Sequence, residues 1–171
     1  MQTGPHEWGS YPSSSTPVSP WLALVGFVGL CLLVGAAAGA ITAGAARGWY
    51  LSLTSPDGTP PRWVLGPVWS TLYVMMGVAG WLAWRRSGAG RPLRLWGWQL
   101  AANAAWAPAF FGLRNPALGL AVVVLLLALI VATMQSFWRV RRAAVWLLVP
   151  YAVWTSYAAY LNAGFWWLNR G

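Results

Sequence analysis

The chain has two acidic residues in 171, Glu7 and Asp57, and no lysine; its eleven basic residues are all arginine. With 8% charged residues against 58% hydrophobic, it lacks the polar surface that a water-soluble globule needs. The long apolar segments hold no acid, which excludes catalysis by paired carboxylates or by a Ser-His-acid set within them. His6 is the one histidine, so no histidine can ligate a metal or a haem iron from inside an apolar segment. Cys31 is the one cysteine, which excludes a disulfide framework or a Cys-x-x-Cys site, and Cys31, Met75, Met76 and Met134 read as apolar packing. The apolar segments also lack an ionisable side chain of the kind that couples export to a proton, so a small-molecule exporter is the weaker alternative. The net charge of +9 comes from arginines that punctuate apolar segments and form no patch among polar residues, so no nucleic-acid partner is expected.

Long apolar runs are what is present. A bilayer core takes about twenty apolar residues per helix, and five runs of that order occur: Trp21 to Ala46, Trp63 to Trp84, Leu95 to Leu113, Pro116 to Trp138 and Ala143 to Asn169. They predict an all-α, polytopic membrane protein, a bundle of five transmembrane helices over residues 21–171. Residues 1–20 are rich in proline and serine, lack the basic start and short apolar core of a cleavable signal, and are expected to be a disordered tail. Arg85, Arg86, Arg91, Arg94, Arg139, Arg141 and Arg142 fall in the connections on the amino-terminal side, against Arg47, Arg62, Arg114 and Arg170 on the other. The positive-inside rule then predicts a cytoplasmic amino terminus and an external carboxy terminus.

The fifteen tryptophans sort by depth. Trp21, Trp84, Trp96, Trp138 and Trp167 lie near span ends, as in the aromatic belts of membrane proteins. Trp69, Trp106 and Trp154 lie deeper and belong to stripes at helical spacing: Trp69, Tyr73, Met76 and Gly80; Gln99, Asn103, Trp106 and Phe110; Tyr151, Trp154, Tyr157, Ala158 and Leu161. Three helices thus each present an aromatic face carrying hydrogen-bonding groups, suited to a planar apolar ligand with a polar edge. For Asn103 two roles stay open, a ligand contact or an interhelical link. Gly97, Ala101, Ala105 and Ala109 repeat every four residues roughly 150° from the stripe on their helix, and with Gly35 and Gly39 they make candidate close-packing contacts for a homodimer.

"WYLSL" followed by "PP" and "GPVWSTLYVMMGVA", then "QLAANAAWAPAFFG", then "PYAVWTSYAAYLN", resembles the tryptophan-rich sensory protein / translocator protein family, TspO, once called the peripheral benzodiazepine receptor. The resemblance runs from about Arg47 to Asn162. It implies a five-helix bundle, usually homodimeric, with a pocket beneath the long first loop for porphyrins, haem-like tetrapyrroles, sterols in some members, and isoquinoline or benzodiazepine drugs. The family's pocket positions fall on Tyr50, Trp69, Asn103 and Trp154; the stripes add Tyr73, Trp106, Phe110, Tyr151, Tyr157 and Ala158. No cofactor is required on this reading, and a porphyrin is the expected ligand of a membrane receptor or binding protein in transport, sensing or stress response. Some members are reported to degrade porphyrin in light, so an enzyme with Trp69 and Trp154 as redox-active indoles is the alternative. The family's usual loop Lys-Pro and following Trp are here Ser55, Pro56 and Gly58, which predicts a looser lid. The sterol-recognition pattern of animal members is absent, since nine residues separate Tyr160 from Arg170.

Overall fold

A computed structural model describes residues 19–45 and 48–170. Most of the expected tail, and Arg47, lie outside the described residues. Among the described residues every regular element is helical: α1 (Pro20–Ala45), a short α2 (Trp49–Ser52), α3 (Arg62–Ser87), α4 (Arg91–Ala107) running into a π turn (Pro108–Gly112), α5 (Pro116–Trp138) and α6 (Arg142–Leu168). The helices match the five apolar runs closely, and α2 is an element that the runs did not announce.

α1, α3, α5 and α6 are long and apolar enough to cross a membrane, so the chain is an integral, multi-pass membrane protein. The third expected span, Leu95 to Leu113, falls on α4 and its π turn; α4 has 17 residues and is not among the four described helices long and apolar enough to cross. The five long helices close a ring: α1 packs on α3, α3 on α6, α6 on α5, α5 on α4, and α4 back on α1, while α3 also meets α4. Short connections with defined ends hold this order. Gly88 ends α3 at φ 60° with its N–H on Trp84 O at 2.8 Å, a left-handed stop that glycine adopts without strain. Asn115 caps α5 by accepting from Leu118 N at 3.0 Å, and Pro116 follows at the first helical position.

Small residues set how near the helices come. A Cβ on Gly77 would sit 2.6 Å from Val28 Cα, so α1 and α3 touch backbone to backbone there. A Cβ on Gly35 would meet the Tyr73 ring at 2.5 Å, which commits Gly35 to a contact within the chain. Gly39, Ala101 and Ala105 lie on the outside of the single chain and Gly97 is half-exposed, whereas Ala109 is buried.

The belt assignment needs one correction. Trp21, Trp138 and Trp167 are exposed and Trp84 half-buried, but Trp96 is core: its Nε1–H donates to Met76 O at 3.0 Å and its ring packs against Gly80 and Phe27. The N–H is satisfied by a carbonyl of α3, so the indole needs no headgroup water.

Gly77→Ala should separate α1 from α3 and destabilise the bundle by about 1–3 kcal/mol, the cost of overpacking a tight contact. Thermal unfolding in detergent measures it; an unchanged midpoint would mean that α1 is free to shift at no cost.

Candidate functional site

Three helices meet through buried polar side chains inside the ring. Tyr73 Oη on α3 donates to Asn103 Oδ1 on α4 at 2.6 Å, and Asn103 Nδ2 donates to Tyr151 Oη on α6 at 2.9 Å. All three side chains are buried. One amide therefore ties three helices, so Asn103 is an interhelical link; it still keeps one N–H and one lone pair beyond these bonds. Trp69 lies over this hub half-buried, 5.6 Å from the Tyr73 ring and 6.4 Å from the Tyr151 ring between centroids. Gln99 follows the same face of α4 one turn earlier, fully buried, with no protein partner for either amide atom.

A second aromatic cluster forms where α4 changes pitch. Pro108 has no N–H to give to the preceding turn, and the helix widens so that Leu113 N reaches Pro108 O at 2.8 Å and Asn115 N reaches Phe110 O at 3.2 Å, five residues back. The wider turn buries both Phe110 and Phe111. Tyr50 of α2 packs on Phe110, Phe111 and Phe165, with Trp49 also against Phe110. Burial raises the Tyr50 phenol above its ordinary pKa, with Arg62 pulling it down more weakly. Trp106 stacks on Phe110 at 5.7 Å, and its Nε1–H donates to Asn162 Oδ1 at 3.0 Å, while Asn162 Nδ2 donates to Pro116 O at 2.8 Å.

The loop between α2 and α3 is fastened to α6. Asn169 Oδ1 accepts from Thr54 N at 2.8 Å and Asn169 Nδ2 donates to Thr54 O at 3.0 Å. Tyr157 Oη donates to Gly58 O, and Tyr160 Oη to Asp57 O at 3.4 Å. Pro56 is buried against Gly164, where a Cβ would come within 2.6 Å of it. The loop is pinned without the loop Lys and Trp whose absence predicts a looser lid. Trp154 joins this edge through Tyr157, 5.5 Å away.

The residues expected around a ligand thus fall into two neighbouring groups: Trp69, Tyr73, Asn103, Tyr151 and Trp154 at the hub, and Tyr50, Trp106 and Phe110 beneath α2, with Tyr157 at the loop edge and Ala158 half-buried on α6. None of them lines the apolar groove of about 290 Å³ that opens outward between α3 and α6, whose walls are Pro67, Val68, Thr71, Leu72, Met75 and Pro150. The sequence reading missed Asn162, Asn169, Trp49, Phe111 and Phe165. Asn162 and Phe165 were accessible to it, because Tyr151, Thr155, Ala158, Asn162 and Phe165 follow one another at alternating steps of four and three.

Residues 27–168 match the TspO/MBR family. The chain is 42% identical over 141 residues to the tryptophan-rich protein TspO of Chlorobaculum tepidum, covering 79% of this chain and 88% of that protein. It is 40% identical to the translocator protein of Bos taurus, covering 88% and 92%, and 38% identical to the translocator protein of Homo sapiens, covering 89% and 93%. Matched over residues 27–168 by the family and over most of the length of these relatives, the chain belongs to the TspO/MBR family.

Proposed function

We propose that the chain is a membrane receptor for a planar, largely apolar aromatic ligand, with a porphyrin-type tetrapyrrole as the best fit and isoquinoline or benzodiazepine compounds as surrogates. The observation that carries the reading is that Trp69 and Trp154 are only half-buried beside a fully buried Tyr73–Asn103–Tyr151 hub. Indole faces supply area and the hub supplies polar groups for a ligand edge, to which the unpartnered Gln99 amide adds. A plane sandwiched between two rings needs about 7 Å, twice an ordinary carbon contact. The ring pairs Trp154–Tyr157 at 5.5 Å and Trp69–Tyr151 at 6.4 Å leave less than that. Entry therefore requires rings to part, and the loop over α6 is the natural gate. On this reading the amino terminus is cytoplasmic and the loop external, and the chain works as a homodimer that meets its copy along Gly97, Ala101 and Ala105.

The pinned loop gives the light-dependent enzyme a specific argument, since a closed site retains reactive intermediates. One titration distinguishes the readings. Protoporphyrin should quench tryptophan fluorescence saturably, Trp69→Ala or Trp154→Ala should weaken it by roughly 1–3 kcal/mol, and illuminated porphyrin should return unchanged. Wild-type binding by both variants would sink the site; conversion that needs protein and light, and is lost in the Trp69→Phe, Trp154→Phe double variant, would make the enzyme the correct reading.

Asn169→Ala removes both bonds to Thr54. It should speed porphyrin release roughly thirtyfold, on the scale of two hydrogen bonds of about 1 kcal/mol each, as stopped-flow fluorescence would report; an unaltered rate would rule out the loop as gate. Ala105→Leu should lower the dimer fraction in detergent while leaving porphyrin binding intact, and an unchanged oligomeric state would place the dimer contact elsewhere.

A further inference from the structure

The end of the bundle remote from the loop gathers cations that have no acidic counterpart among the described residues. Arg85 and Arg86 close the last turn of α3, and Arg141 stands at the amino-terminal cap of α6. With Leu82 they line a cleft of about 290 Å³. The one acid among the described residues is Asp57, in the loop before α3. The part of α3 from Arg62 to Leu82 lies between it and the cleft, a length of roughly 30 Å at 1.5 Å per residue.

Neighbouring groups account for only some of these arginines. The Arg85 guanidinium sits 5.0 Å from the Trp81 ring centroid, and Trp81 is itself held by its Nε1–H on Pro20 O at 2.9 Å. Arg142 is turned away over Trp138 at 5.1 Å. Arg86 and Arg141 have neither an ion pair nor a ring contact among the described residues. The arginines on α3 at least suit the negative end of a helix. Arg141 does not, because it sits at the positive end of the 27-residue α6, which no side chain caps. Cations converging on an uncapped helix start produce a field that an anion relieves, and forked guanidiniums match phosphate oxygens.

We propose that this cleft binds the phosphate of an anionic membrane-lipid headgroup, with Arg86 and Arg141 as its main ligands, Arg85 as a third cation and Leu82 against the apolar part of the lipid. A lipid is favoured over free phosphate because Leu82 gives the cleft an apolar side and Trp81, under the Arg85 guanidinium, is a ring type that settles at the headgroup boundary.

The test places the full chain in mixed micelles with phosphatidylglycerol and phosphatidylcholine and measures the lipid retained by mass spectrometry. Wild-type protein should retain phosphatidylglycerol about tenfold over phosphatidylcholine. Arg86→Gln with Arg141→Gln should bring the ratio near one, whereas Arg91→Gln with Arg94→Gln, which removes the same charge on α4, should leave it unchanged. Equal losses in both pairs, no loss in the first, or inorganic phosphate binding as tightly as the lipid would overturn the site. If the first pair does not fold, Arg86→Lys with Arg141→Lys decides: the fork is lost and the charge kept, and an undiminished ratio overturns it.

Discussion

The amide of Asn103 is the interaction on which the rest of the bundle depends. Lipid tails are as apolar as leucine, so helices in a bilayer gain little by hiding apolar surface from one another, and close packing and polar links must set their arrangement. Asn103 accepts from Tyr73 and donates to Tyr151, and so fixes α3, α4 and α6 about one point. Each such bond is worth only about 0.6 kcal/mol on average, yet it satisfies a hydroxyl or amide that would otherwise be buried without a partner. Trp69 and Trp154 stand where they do because the helices carrying them meet at this hub. For Asn103, the bonds that hold three helices together also set where the surrounding aromatic rings stand.

Asn162 repeats the device nearer the loop, joining the Trp106 indole of α4 to the first carbonyl of α5. Between the two asparagines α4 must pass Pro108, where the missing N–H turns the helix into a π turn. That widening buries two successive phenylalanines, which a regular helix would place about 100° apart, and α2 lays Trp49 and Tyr50 on the same cluster. A Cβ on Gly119 would lie 2.9 Å from Phe110 Cβ, so α5 yields the room that Phe110 occupies.

The spans were legible in the sequence because bilayer thickness fixes the length of an apolar run, and α5 was bounded correctly at both ends, Pro116 and Trp138. The inner faces of α3 and α4 followed from spacing. On α6 the weight of Trp154 and Tyr157 pulled the expected stripe to one side; the buried line passes through Tyr151, Thr155, Asn162 and Phe165, with the two aromatics on its flank. Depth also misplaced Trp96, since closeness to a span end says nothing of a carbonyl waiting on α3. The fastening of Asn169 to Thr54 joins residues 115 positions apart and leaves no periodic trace at all.

The loop shows how a substitution at a recognised position can leave closure intact. The Lys and Trp that the family usually carries here would act through their side chains, whereas this loop is held by main-chain groups, the N–H and C=O of Thr54 and the carbonyls of Asp57 and Gly58. These main-chain groups persist whatever side chain stands at position 55. Gly58 has φ 83°, a conformation that an indole-bearing residue would adopt only under strain. Glycine therefore suits this turn, whose carbonyl accepts from Tyr157. The loop is thus held by hydroxyls of α6, and Tyr157, which donates to Gly58 O, is also the ring against which Trp154 packs.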